Sequence, residues 1–306
     1  MSRVAPGTQS VEVLLAELRS RDVQLRVDGD RLRCNAPAGV LSAELRTLLQ
    51  ERKSEILEWL RPAEAVARQP CAIVPLQPHG TGIPVFGVPG HNGDVFCYQH
   101  LAKVLGSNQP FYGLQPPGLD GKTKPMTRVE NIAEYFANQI RDSYASGPYV
   151  IAAYCAGGSI AFELARLLQQ GGGNVSLLTL FGCPYPTFYK LLAARLWAKR
   201  MLMNVLRLVN VAPKSRLDEP PDPVTEMRAK LERVTVTAVR RYTPGQFSGR
   251  MCLILPNRQW LNSACTPLAW RAHCDHVEEH FGPDDCDLNQ MLRGSYAPLM
   301  AEFLNK

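Results

Sequence analysis

Apolar and polar positions along this chain fall into two regimes. Up to about residue 61 the pattern is short and simple. Val11, Leu14, Leu15 and Leu18 share one helical face. Val23-Gln-Leu-Arg-Val and Arg31-Leu-Arg-Cys then alternate apolar with polar around Asp28-Gly-Asp30, a strong hairpin signal. A second helix follows Ser42, with Leu45, Leu48, Leu49, Ile56 and Leu60 on one side. The pattern predicts an αββα unit. A unit this small buries little surface, so a partner or a second copy in a homodimer would add stability.

Beyond it, Pro62, Pro70, Pro75 and Pro78 punctuate the chain and place a linker at about 63–72. Ile83-Pro-Val-Phe-Gly-Val-Pro-Gly then reads as a buried strand entering a loop. Helix and strand patterns alternate after it: a helix near Tyr98 to Leu105, a strand near Pro110 to Gly113, a helix near Val129 to Ala145. A strand and helix around residue 155 follow, then the strand Val175 to Phe181, with Gly171-Gly-Gly173 as a plain connecting loop. Such alternation predicts an α/β sheet with helices on both faces. Residues of about 185–243 break the rhythm with long amphipathic helices, and Arg250-Met-Cys-Leu-Ile-Leu resumes it. An insertion there would be a lid over the active site. The expected division is therefore 1–62, a linker at 63–72, and 73–306.

Composition narrows the class without deciding it. The 306 residues are 45% hydrophobic and 20% charged, ordinary for a globular chain. No run of about eighteen apolar residues indicates a membrane span, and the N-terminus lacks the apolar core of a signal peptide. Nine cysteines without paired spacing point to reduced thiols and a cytoplasmic setting. The net charge of +6 is unevenly spread: Thr187 to Leu217 holds seven basic residues and no acid. Without a nucleic-acid-binding motif, that segment suits a solvated helix face, an acidic partner or a phosphate-bearing substrate better than a nucleic acid. His273, Cys274, His276, His280 and Cys286 match no closed zinc site, and strand alternation would send neighbours to opposite faces. No metal is expected.

The candidate chemistry lies in Val150-Ile-Ala-Ala-Tyr-Cys-Ala-Gly-Gly-Ser. A short apolar strand ends at Cys155, tight glycines follow, and a helix begins. That is the layout of a nucleophile elbow, G-x-S-x-G, with Ala153 for the first Gly and Cys155 for Ser. Small neighbours are needed because the nucleophile sits on a sharp, strained turn. The helix N-terminus beside it would lower the thiol pKa, adding to the few per cent of thiolate that a free Cys has at neutral pH.

Two resemblances extend this reading. The N-terminal unit resembles the docking domains found on nonribosomal peptide synthetase subunits. Leu14-Leu-Ala-Glu-Leu-Arg-Ser-Arg-Asp-Val, Gly29-Asp-Arg-Leu-Arg, Glu44-Leu and Ile56-Leu-Glu-Trp-Leu carry it. It implies that residues 1–62 capture an upstream synthetase subunit. Residues 73–306 resemble the thioesterase domains of nonribosomal peptide and polyketide synthases. Val88-Pro-Gly-His-Asn-Gly-Asp, Gln109-Pro-Phe-Tyr-Gly-Leu-Gln, Ala153-Tyr-Cys-Ala-Gly-Gly, Ala161-Phe-Glu-Leu-Ala and Met291-Leu-Arg carry it. This implies an α/β-hydrolase fold with a helical lid and Cys155 as nucleophile. The oxyanion hole would use the N–H of Ala156 and the N–H of His91. The substrate would be an acyl group on the phosphopantetheine of an acyl or peptidyl carrier protein, with no cofactor of the chain's own.

Two positions depart from that family. Its acid follows the next strand, where this chain has Gly182, and its base stands where this chain has Leu288. His280 is the candidate for a displaced base, against a plain strand residue. Exchange of a carrier thioester for an acyl-Cys is close to isoenergetic and needs no added base, whereas attack by water does. Acyl or aminoacyl transfer is therefore expected ahead of simple hydrolysis. The alternatives are a non-catalytic docking protein with a degenerate hydrolase domain, or a plain editing thioesterase.

Overall fold

The computed structural model describes residues 11, 14, 18, 23–28, 31–35, 41–58, 72–119, 123–144, 147–191 and 223–305. The core of the lid segment and its basic cluster beyond Lys190 lie outside the described residues, as does the linker up to Cys71.

The N-terminal unit carries a hairpin of β1 (Gln24–Asp28) and β2 (Arg31–Asn35), paired antiparallel from Gln24↔Asn35 to Asp28↔Arg31. Helix α1 (Ala43–Glu51) starts at Ser42, whose hydroxyl accepts the Leu45 N–H at 3.2 Å and so satisfies one of the open first-turn donors. Val11, Leu14, Leu18, Val23, Leu49 and Ile56 form its core, the face expected from the helical spacing.

The larger unit is built on seven strands: β3 (Ile73–Gln77), β4 (Val85–Val88), β5 (Phe111–Leu114), β6 (Tyr149–Tyr154), β7 (Val175–Phe181), β8 (Phe247–Leu255) and β9 (Cys274–Phe281). Their spatial order is β3-β5-β4-β6-β7-β8-β9, with β3 antiparallel to β5 and every other pair parallel. Strand β3 begins directly after the expected linker and has Pro75 inside it. An edge position tolerates this, because Pro has no N–H to give to a ladder.

Helices α2 (Gln99–Leu105), α3 (Val129–Tyr144), α4 (Gly157–Gln170), α5 (Pro223–Arg241) and α6 (Ala297–Leu304) complete the unit. One face of the sheet is covered by Ile132, Phe136 and Ile140 of α3 and Ile160, Leu164 and Leu168 of α4. The other is covered by Leu101 of α2 with Met300, Ala301 and Leu304 of α6. Central strands buried on both faces read as continuous apolar runs, which is why β6 and β7 were legible as strands. This is the α/β-hydrolase arrangement the resemblance implies. In chain order β5 lies on one side of β4 and β6 on the other. The carboxyl ends of β4 and β6 therefore flank a topological switch point, where ligands bind open α/β sheets.

Helix α5 is tied to α4 by a buried carboxylate. Glu163, 3% exposed, accepts from the Tyr242 hydroxyl at 2.8 Å and from Arg166 at 2.8 and 3.0 Å. Burial alone would raise its pKa. The Arg166 guanidinium and the Tyr242 hydroxyl outweigh burial and hold it below the usual carboxylate range. A group depressed in this way adds stability above its unfolded pKa of about 4.3, and the contribution is lost as pH falls through the lower folded value. Tyr242→Phe should therefore cost about 1.5–3 kcal/mol in urea unfolding at pH 7. The difference from wild type should shrink in acid; an equal cost at pH 7 and pH 3 would place the effect elsewhere.

Candidate active site

Cys155 stands at the carboxyl end of β6 and just before α4, with φ of 51°. A non-glycine residue there is strained by about 1–3 kcal/mol and persists only where its surroundings fix it. They do: the Cys155 N–H donates to the Phe181 carbonyl at 3.1 Å, and its own carbonyl accepts the Gly158 N–H at 3.2 Å. A Cβ on Gly157 would lie 2.3 Å from the Pro89 carbonyl oxygen, so only glycine lets the loop after β4 press onto the first turn of α4. The elbow expected from sequence is present.

That loop brings the second candidate alongside. An added Cβ at Gly90 would be 3.6 Å from the Cys155 Cβ, so the His91 backbone follows directly beside the nucleophile. The Tyr98 hydroxyl donates to the Val88 carbonyl at 2.6 Å and pins the strand end. The His91 ring turns outward to Glu232 of α5, Nε2 to Oε1 3.3 Å. The Ala156 N–H points at the Cys155 sulfur. The β4 loop and the start of α4 thus lie on either side of the Cys155 side chain.

The two departures also meet. Gly182 has φ of 52°, and a Cβ on it would lie 2.3 Å from Leu288 Cδ1. Tyr154, next to the nucleophile, donates its hydroxyl to the Leu288 carbonyl at 2.7 Å. The positions aligned with the missing acid and base are therefore mutual neighbours beside the elbow, and Leu288 fills the volume an acid at 182 would need. His280 is elsewhere. The register Tyr154↔Phe181, Phe181↔Ile254, Ile254↔His280 puts it three strands from β6, about 14 Å across the sheet. Its ring stacks on Phe303 of α6 at 4.5 Å. It is a strand residue and cannot serve Cys155. Of the other clustered residues, His273 bonds the Tyr185 hydroxyl at 2.8 Å and the Gly245 carbonyl at 2.9 Å, the latter through Nδ1.

One expectation is overturned. The thiol is not lowered by the helix N-terminus. Burial pushes Cys155 up to about 11, against the opposing pull of the Ala156 N–H and the Tyr189 hydroxyl. Cys155 is half-buried, and loss of hydration, with the Glu232 carboxylate adding to it, outweighs one oriented amide. Sequence reasoning missed Tyr189 and Glu232, because neither falls in a motif; both reach the site from segments flanking the undescribed part of the lid.

Comparison with known proteins agrees with the fold. A thioesterase domain family model matches residues 83–293, more than half of the sequence. The chain belongs to the thioesterase domain family. Residues 11–61 of this thioesterase-family chain match the TubC N-terminal docking domain. It is 32% identical over 139 residues to nonribosomal peptide synthetase pngA of Aspergillus terreus, 45% of this chain and 14% of that one. It is 36% identical over 113 residues to polyketide synthase PksR of Bacillus subtilis, 37% of this chain and 4% of that one. The chain thus spans only a small part of these relatives' length. The NocB thioesterase domain of the nocardicin cluster superposes with a TM-score of 0.60 at 19% identity, over 76% of this chain and 97% of that one. YbtT, a type II thioesterase of the yersiniabactin pathway, gives 0.56 at 18% identity, over 77% and 97%. At such identities these two establish the fold. Among the described residues no helix is long and apolar enough to cross a membrane.

A thiol held near 11 is ionised to about one part in 10⁴ at pH 7. Alkylation of Cys155 by iodoacetamide, read by peptide mass, should therefore climb about tenfold per pH unit from 7 to 10. A plateau below pH 8 would show a thiol activated in a way the burial argument forbids.

Proposed function

We propose that this chain accepts an acyl or aminoacyl group from the phosphopantetheine thioester of a carrier protein as an acyl-Cys155 intermediate. It then passes the group to an acceptor other than water. The observation that carries this reading is the pairing of the elbow, and the β4 loop packed beside it, with Gly182 and Leu288 in contact at the positions aligned with acid and base. Cys155 attacks the thioester carbonyl, the Ala156 and His91 N–H groups stabilise the oxyanion, and pantetheine thiolate departs. The thiolate takes up the proton that Cys155 gave, so the exchange is balanced without an external acid. Water gains nothing from this arrangement, because attack by water needs a base. Residues 1–62 would hold an upstream synthetase subunit and raise the effective concentration of the carrier-bound donor. The work is placed in the cytoplasm of a producer of nonribosomal peptides or polyketides, where each described cysteine would remain the free thiol it is here.

The raised thiol pKa favours a second reading, a docking protein whose hydrolase domain no longer turns over. Intact mass after incubation with acyl-pantetheine separates the two. The transfer reading expects a single acyl adduct, on Cys155 and absent from Cys155→Ala. A protein that stays unmodified, or is labelled evenly over several cysteines, would sink it.

Restoring the missing pair supplies a second test. Gly182→Asp alone should be poorly tolerated, because φ is positive and Leu288 occupies the space. Gly182→Asp with Leu288→His removes that obstruction and should raise hydrolysis of the acyl-enzyme toward 10²- to 10⁴-fold. A folded double variant with unchanged hydrolysis would mean that these positions do not serve the nucleophile.

A further inference from the structure

His273 closes the short helical turn Pro267–His273, and its ring holds two stretches of chain at once. Nδ1 lies 2.9 Å from the Gly245 carbonyl, and Nε2 lies 2.8 Å from the Tyr185 hydroxyl. A carbonyl only accepts, so in the neutral ring Nδ1 carries the proton and Nε2 accepts from the phenol. Burial pushes the Tyr185 phenol up, which keeps its proton in place for that bond. The two rings also stack, with centroids 5.8 Å apart, and Trp270 meets Tyr185 edge-on at 5.2 Å. Tyr185 stands where the chain leaves β7 for the insertion. Gly245 stands where it returns from α5 to β8.

We propose that His273 is the clasp of the insertion between β7 and β8. It is a positioning residue that fastens the two ends of that insertion to each other, and so sets how α5 packs on the loop beside Cys155. This goes beyond the transfer reading and does not need it. The path from clasp to nucleophile is short on both sides. Tyr185 follows Gly182 by three residues, and Gly182 meets Leu288 beside the elbow. Gly245 follows α5, whose Leu231 is 2% exposed and would lie 2.7 Å from a Cβ at Gly93. Helix α5 therefore rests on the same loop that carries Gly90 past Cys155.

Neighbouring bonds hold one end each. The Tyr185 N–H donates to the Cys265 carbonyl at 2.9 Å, and the Trp270 indole N–H to the Cys183 carbonyl at 3.3 Å; both fix the departure from β7. Gln246 Nε2 donates to the Ala272 carbonyl at 3.2 Å, and the Tyr242 hydroxyl to Glu163 at 2.8 Å; both fix the return to β8. These bonds keep each end on its own part of the core, whereas the imidazole makes the two ends one unit. Cutting it should loosen the insertion locally and leave the sheet closed.

The test uses the full chain and two variants that cut the same bond from opposite sides. Tyr185→Phe keeps the ring and loses the hydroxyl. His273→Asn keeps an amide N–H near the place of Nδ1, for Gly245, and loses Nε2. Hydrogen exchange over residues 185–191 and 239–246 is read by peptide mass, and iodoacetamide labelling is read at each cysteine. Loss of one hydrogen bond predicts exchange over 185–191 about 3- to 10-fold faster in either variant. Labelling of Cys155 should rise by a similar factor, because a loosened insertion rehydrates a thiol that burial holds up. The double variant should exceed neither, since both changes remove one bond. His273→Ala should also quicken exchange over 239–246. Buried Cys183 and Cys252 should stay unlabelled throughout. Unchanged exchange and labelling in a folded Tyr185→Phe would overturn the proposal. So would effects that multiply in the double variant, or Cys183 and Cys252 labelled in step with Cys155, because the loosening would then be general. If His273→Ala does not fold, the two milder variants decide the matter. No acyl donor is present, so the outcome is independent of whether acyl-Cys155 forms.

Discussion

The site depends on one close approach: the loop after β4 lies against the first turn of α4, where the Pro89 carbonyl would be 2.3 Å from any Cβ at position 157. Gly157 permits the contact, and the contact sets the loop around Gly90 beside the Cys155 side chain. It also leaves Cys155 at φ of 51°. That strain is held by bonds to Phe181 and Gly158, from the neighbouring strand and the helix that follows. Further out, Glu163 fixes α5 to α4 through Tyr242, and α5 in turn presents Glu232 to the His91 ring. Sheet, elbow, loop and helix thus share one set of constraints.

Within that frame, chemistry is decided by what fills the space beside the sulfur. A carboxylate at 182 and an imidazole at 288 would make a triad. Gly182 and Leu288 instead make an apolar contact, and Leu288 is kept in place by Tyr154. Neither residue offers a base to water at this site. Burial raises the thiol to about 11, which under the proposed transfer would slow loading and would also protect an acyl-Cys once formed.

Much of this was legible in the sequence because it depends on local pattern. The elbow shows in Tyr154-Cys-Ala-Gly-Gly, and the hairpin shows in the alternation around Asp28-Gly-Asp30. Strand β3 was not legible, since Pro75 reads as a linker residue until the strand is known to lie at an edge. The sign of the thiol shift was also missed. A helix N-terminus is visible in sequence, but the enclosure of a sulfur by Tyr189, Cys183 and Cys265 is assembled from segments 28 to 110 positions away. His280 was ambiguous for the same reason: proximity along the chain to position 288 says nothing of three intervening strand spacings.

The most direct measurement of the central claim is the fate of acyl-Cys155 after unbound donor is removed. The loaded protein is divided between buffer and buffer with a pantetheine thiol, and both portions are followed by intact mass. The account predicts an adduct that persists in water and discharges onto the thiol at least 10²-fold faster, the factor a missing general base leaves unclaimed. Discharge at equal rates in both portions, with free acid as the product, would contradict it.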